Sequence, residues 1–307
     1  MRDLRLKAES LELKAYLWVA PAALAIGAFT LFPLAAAFWA SLHRRMPTFG
    51  IDDWVGVGNY LHLLGNPRFL QSLATTLYVT AVSVALELAV GMLIALFLWQ
   101  DFKGHAWVLG LSLMPWIIPT PVSAKIWEWG LNPQFGIINH LLTRLGMIRE
   151  PVAWLASPSW AIHAAILAET WKTAPFMALL LLAGLRNIPE NLYRAAQVDG
   201  AGPWRTFTQV TWPSLRPMVM VAVLFRALDS IRVFDVLYVM TGGGPANTTE
   251  TLSIYAYKVL FLRLEFGYGA AIGMAMFALA CTITAAFSLA QRGFPPSGGK
   301  GHLGNHG

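Results

Sequence analysis

Long apolar runs alternate with short polar segments along this chain. A helix needs about 20 apolar residues to cross the hydrocarbon core of a bilayer. Runs of that order occur at Tyr16–Ser41, Leu73–Trp99, Ala106–Trp129, Trp160–Leu185, Pro217–Met240 and Gly267–Ala290. The first carries Pro21 and Pro33; the third is broken by Pro115, Pro119 and Pro121. The first run is too long for a signal-peptide core, and no clear small-residue cleavage site follows it, so it reads as an uncleaved span. The pattern predicts an all-α polytopic membrane protein with six transmembrane helices.

Composition agrees with the pattern. Of 307 residues, 56% are hydrophobic and 12% charged, against about 25% charged in an ordinary soluble domain. Lys and Arg set the orientation. With the N-terminus inside, eleven lie in inner segments and seven in outer ones. Both termini and the loop Arg186–Pro217 are therefore expected on the cytoplasmic side. This divides the chain into a cytoplasmic arm (1–15), a membrane domain (16–291) containing the loop 186–217, and a tail (292–307) expected to be disordered. The net charge of +6 fits contact with anionic membrane lipid. No basic patch interleaved with aromatics suggests nucleic acid. Cys281 reads as a small buried hydrophobe. His302 and His306 in the tail are too few donors for a metal site, and no cofactor, metal or catalytic constellation is expected.

The polar loop RNIPENLYRAAQVDGAGPWRTFTQVTWPSLRP over 186–217 is unusually long for a membrane protein. Asn187 is placed as an N-cap, Pro189 in the first turn, and Glu190 three residues after the cap. Leu192, Ala195, Ala196 and Asp199 recur at helical spacing. Gly200 supplies the stop, Gly202-Pro203 starts a second segment, and Pro213 is expected to end it. Two readings remain: a helix lying on the membrane surface, or a docking element for a cytosolic partner. The small residues Ala195, Ala196 and Ala201 favour docking, because a surface-bound helix would carry large apolar side chains there.

The run Leu192-Tyr193-Arg194-Ala195-Ala196-Gln197-Val198-Asp199-Gly200-Ala201, followed by Trp204, Phe207, Pro213 and Pro217, resembles the EAA loop of ABC-importer permeases. It is most similar to the sugar-importer branch, whose pattern is close to ELYEAA-x-x-DGA-x-x-W-x-x-F-x-x-x-x-x-P. Thr241-Gly242-Gly243-Gly244-Pro245, Thr249-Glu250-Thr251-Leu252 and Gly267-Tyr268-Gly269-Ala270-Ala271 fit the same branch. The resemblance covers nearly the whole chain. It implies the type I importer permease fold and one half of a translocation path for a sugar such as trehalose or maltose. It also implies a second permease subunit, two ATPase subunits and an extracytoplasmic solute-binding protein. In that family the loop is a coupling helix seated on the ATPase, which places Arg194, Ala195, Ala196, Asp199, Gly200 and Ala201 at the contact. Arg194 stands where the family usually has Glu. The chain has no G-x-x-x-x-G-K-[ST] phosphate loop, and Gly298-Gly299-Lys300-Gly301 lacks that spacing.

Ionisable residues within spans default to functional candidates. Arg226, Asp229, Arg232 and Asp235 are spaced by three in the fifth run, within reach of Arg226–Asp229 and Arg232–Asp235 pairing. They form either internal salt bridges or a hydrophilic cavity wall that bonds sugar hydroxyls. Three prolines in seven residues break the third run, and irregular backbone at membrane depth is tolerated where it lines a cavity or is buried in protein. Trp116 there is a candidate sugar platform. With Ser123 and Ser230, these residues complete the expected substrate path. Lys125–Glu128 and Glu169–Lys172 read as structural i,i+3 pairs, and Glu87 as facing a polar neighbour in the bundle. A stand-alone transporter driven by an ion gradient through Asp229 and Asp235 is the alternative, although no internal repeat favours it.

Overall fold

The computed structural model describes residues 18–292; the arm 1–15, the tail beyond 292, and His302 and His306 lie outside the described residues. The helices are α1 (Trp18–Ser41), α2 (Gly58–Gly65), α3 (Pro67–Trp99), α4 (His105–Ile117), α5 (Thr120–Gly130), α6 (Ile137–Arg144), α7 (Ala161–Arg186), α8 (Glu190–Val198), α9 (Trp212–Ile231), α10 (Asp235–Thr241), α11 (Leu252–Leu262) and α12 (Phe266–Arg292). The chain divides into two compact units. One holds the described residues up to Asn66 with Ala256–Ala275. The other holds Pro67–Tyr255 and the described residues from Met276 on.

Six spans were expected, the third of them broken by its prolines. Among the described residues, four helices are long and apolar enough to cross a membrane: α1, α3, α7 and α12 over Phe266–Ala290. A fifth crossing results if α4 and α5 count as one span, but they meet at 91°. Pro119 and Pro121 lack the N–H groups that would bond the carbonyls of Pro115 and Ile117, so the helix cannot continue through them. The fifth apolar run is also divided, into α9 and α10, at residues 232–234. Arg226, Asp229, Arg232 and Asp235 crowd this stretch, and the irregular backbone there borders a polar cavity.

A two-stranded antiparallel hairpin was not expected: β1 (His43–Met46) pairs with β2 (Ile51–Trp54). Its strands, HRRM and IDDW, show no apolar alternation. They place Arg44 opposite Asp53 and Arg45 opposite Asp52, so cross-strand charge pairing helps define the register. Gly267, in the first turn of α12, sits so close to the hairpin that a Cβ would overlap the His43 carbonyl.

In the larger unit, α3 and α7 pack intimately. A Cβ on Gly91 would come within 2.8 Å of the Met177 side chain, so glycine is what lets the two backbones approach. Ala95, Leu98, Met177, Leu181, Leu185, Leu215 and Ala222 form the surrounding apolar core. A second cluster joins Ala124, Ala164, Ala168, Val236 and Met240, and so ties α5 and α10 to α7. Cys281, expected to be buried, is exposed on α12. That helix shows little burial over its apolar window, so the position has no core to enter.

Candidate functional site

An open cavity of about 370 Å³ lies among the helices of the larger unit, lined by Trp116, Thr120, Glu169, Lys172, Thr173, Arg226, Asp229, Arg232, Val233, Phe234, Asp235 and Val236. Three acidic and three basic side chains face it, so its formal charge balances. On one wall stands a buried ionic hub. Arg226 is 3% exposed and Glu87 fully buried. The Arg226 guanidinium donates through Nε (2.6 Å) and Nη2 (2.9 Å) to the two Glu87 oxygens. Nη2 also reaches Glu169 at 3.3 Å, and Nη1 bonds Asp229. Thr173 Oγ1 donates to Glu87 at 2.7 Å. Four N–H groups of the guanidinium thus face carboxylates, and a bidentate pair of this kind fixes orientation as well as charge. The hub joins α3, α7 and α9 at one point.

Beside it, α9 ends at Ile231. Arg232 is then free to turn back to Asp229 (3.3 Å) instead of pairing with Asp235. Helical phase is lost over residues 232–234, which is why the expected Arg232–Asp235 pair does not form. The expected Glu169–Lys172 pair is also absent, because Glu169 bonds Arg226 across the bundle. Lys172 Nζ instead donates to the carbonyls of Ile118 (2.8 Å) and Trp116 (3.3 Å) at the break between α4 and α5. Lys125–Glu128 forms as expected, at 2.6 Å. The Trp116 ring, 44% exposed, stacks on Phe176 with centroids 5.4 Å apart.

The polar loop holds a helix and a glycine turn, with two changes from expectation. Asn187 caps the C-terminus of α7, its Nδ2 bonding the Ala183 carbonyl. Pro189 therefore takes the N-cap position of α8, since its fixed φ suits the start of a helix. Gly200 has φ +70°. Its N–H bonds the Gln197 carbonyl and that of Ala201 bonds Ala196, the paired bonds that close a helix through a left-handed residue. Pro213 does not end the second segment. Helical backbone runs from Pro203 through a π turn at Phe207–Thr211 into α9. Pro213 therefore lies inside continuous helical backbone, directly after the π turn, whose Trp212 N–H bonds the Phe207 carbonyl and shifts the hydrogen-bond register where Pro213 has no N–H to give.

Tyr193 ties α8 down. Its ring lies 5.0 Å from Trp99, and its hydroxyl bonds Thr211. Ala196 is buried on the inward face, while Ala195, Asp199 and Gly200 are exposed. Ala201 is half-buried. Arg194 is exposed and pairs with Glu190 one turn earlier, at 3.0 Å. Two large apolar side chains flank the glycine turn and stand in the open: Val198 at 89% and Trp204 at 77% exposure.

Residues 87–292 match the family described as the binding-protein-dependent transport system inner membrane component. The chain belongs to this family. A trehalose/maltose transport system permease protein of Thermococcus litoralis is 40% identical over 269 residues, covering 88% of this chain and 90% of that protein. A trehalose transport system permease protein of Mycobacterium tuberculosis is 39% identical, covering 92% of each. A sulfoquinovosyl glycerol transport system permease protein of Agrobacterium fabrum is 38% identical, covering 90% of this chain and 89% of that protein. A bacterial alginate ABC transporter, crystallised in complex with an alginate pentasaccharide-bound periplasmic protein, shares the fold. Its TM-score is 0.80 at 21% identity, covering 95% of this chain and 99% of that one.

Within this permease the expected path residues Trp116, Arg226, Asp229, Arg232 and Asp235 meet at one cavity. Ser123 and Ser230 do not line it. Both are buried, and Ser230 Oγ lies 3.3 Å from Ser83 Oγ. Sequence reasoning did not assign Glu169, Lys172, Thr120, Thr173 and Phe234 to the cavity. The signal for Glu169 and Lys172 was present, since charged side chains in a span mark a polar path. Reading them as a mutual pair concealed it. The exposure of Val198 was not expected, because in sequence it looks like an ordinary buried helix position.

Proposed function

We propose that this permease is one subunit of an ATP-driven importer for a di- or oligosaccharide of the trehalose or maltose class. The cavity carries the reading: it is open, polar, charge-balanced and walled by an aromatic ring. Such a wall suits a neutral polyhydroxylated solute, because carboxylates and guanidinium groups bond hydroxyls without a net charge to match. The names of the trehalose and trehalose/maltose relatives support the sugar class. In this reading both termini and the loop 186–217 are cytoplasmic. A second permease completes the path, two ATPase subunits drive it, and an extracytoplasmic binding protein delivers the sugar. ATP hydrolysis belongs to the ATPase, and α8 with the Gly200 turn receives its motion through Arg194, Ala195, Asp199, Gly200 and Ala201, with Ala196 packed behind them. Asp229, Arg232, Asp235 and Trp116 meet the sugar. Arg226, Ser123 and Ser230 act as structural support of the path.

The test is ATPase activity of the reconstituted transporter with its binding protein. Binding protein loaded with trehalose or maltose should stimulate hydrolysis several-fold over unloaded protein. Equal rates with and without either sugar would refute the sugar assignment. No finding favours the alternative of an ion-driven transporter.

A further inference from the structure

Lys172 occupies a distinctive position in the larger unit. It lies on α7, is 8% exposed, and lines the cavity. Its ammonium group is set against the C-terminal end of α4. Helix ends leave four carbonyls without intrahelical donors, and in α4 the prolines enforce this. Pro119 and Pro121 cannot donate to Pro115 and Ile117, and the Val122 N–H, which a continuous helix would direct to Ile118, bonds the Pro119 carbonyl. Lys172 supplies donors to two of these carbonyls, those of Trp116 and Ile118. A cation at this end also complements the helix dipole, most strongly where water is scarce. Glu169, one turn earlier on the same helix, is engaged by Arg226, so Lys172 is directed to the break.

We propose that Lys172 is a positioning residue of the transport path. By bonding the backbone on both sides of Ile117 it holds the 91° break between α4 and α5, and so keeps the Trp116 indole in the cavity wall. Its effect on transport passes through Trp116. This rests on the reading of the cavity as the sugar path.

The experiment uses the complete transporter in proteoliposomes with its binding protein and trehalose or maltose as the transported probe. It measures sugar moved per ATP hydrolysed. Lys172→Met removes the donors at similar length, Lys172→Arg restores them, and Trp116→Ala removes the ring. Loss of hydrogen bonds from a charged donor predicts about a tenfold fall in sugar per ATP for Lys172→Met. Binding-protein-stimulated hydrolysis should stay within about twofold of wild type, and Lys172→Arg should recover most of the loss. In the Trp116→Ala background, Lys172→Met should add little, because contacting groups acting in series are not additive. Wild-type coupling in Lys172→Met, or full additivity of the two substitutions, would overturn the proposal. Unimpaired transport by Trp116→Ala would instead overturn the path reading itself. If Lys172→Met does not assemble, Lys172→Leu, which removes the donors at smaller volume, takes its place, and wild-type coupling there likewise overturns the proposal. Then a deficit that Trp116→Ala masks supports the proposal, and an additive deficit refutes it.

Discussion

Glu87→Met is the most informative single perturbation of the bundle. Glu87 is fully buried and accepts three hydrogen bonds, two from Arg226 at 2.6 and 2.9 Å and one from Thr173 at 2.7 Å. Methionine fills similar volume but accepts none of them. Removing one partner of a buried ion pair typically costs 3–5 kcal/mol, because the other charge is left uncompensated. Here Arg226 retains Glu169 and Asp229, so the cost should fall near the lower bound, about 3 kcal/mol. The double variant Glu87→Met/Arg226→Met removes the stranded charge and should be less destabilised than the sum of the singles by at least ~1.5 kcal/mol. Unfolding free energies of the purified protein, from denaturant titration in mixed micelles followed by circular dichroism, provide the comparison. A cost below about 1 kcal/mol for Glu87→Met, or strict additivity in the double variant, would refute the account of Arg226 as a structural hub. It would return Arg226 to the set of groups free to bond a substrate.

Other predictions concern packing and the loop. Gly91→Ile should destabilise the α3–α7 contact by about 1–3 kcal/mol, read as a lower melting temperature of the detergent-solubilised transporter, because a Cβ there already meets Met177 at 2.8 Å. Gly200→Ala should cost about 1 kcal/mol and leave uptake largely intact, since only the φ of +70° opposes it and open space surrounds the site. Gly200→Pro removes the N–H that bonds Gln197 and forbids that φ, and should abolish uptake while the ATPase still hydrolyses. Val198 stands exposed beside the Gly200 turn, on the loop proposed to meet the ATPase, so Val198→Asp should weaken co-purification of the ATPase. Arg194→Ala should lower the unfolding free energy of the permease by less than ~1 kcal/mol, because the exposed Glu190–Arg194 pair contributes little.

The sequence resolved what local chemistry controls. Apolar length located α1, α3, α7 and α12, and the small-residue helix closed by Gly200 was legible from spacing alone. Three prolines announced the α4–α5 break, though not its angle, which depends on Lys172 reaching across from another helix. Pairings failed where tertiary partners outcompeted neighbours in sequence: Glu169 left Lys172 for Arg226, and Arg232 left Asp235 once the helix ended. The hairpin at His43–Trp54 was hidden because its strands carry charge where alternation was sought. Asn187 was misplaced by one element, since the same residue type caps either end of a helix. Whether a loop side chain faces inward, as Ala196 does, or outward, as Val198 does, depends on Tyr193 anchoring α8 against Trp99 and Thr211.

The central claim is that sugar uptake through this chain is powered by a separate ATPase. Proteoliposomes containing the chain, its permease partner and the ATPase, with binding protein and labelled trehalose or maltose outside, test it directly. Uptake should require ATP on the loop side together with the binding protein, and should be insensitive to collapse of ion gradients. Uptake by the chain alone, driven by an ion gradient without ATP or binding protein, would contradict it.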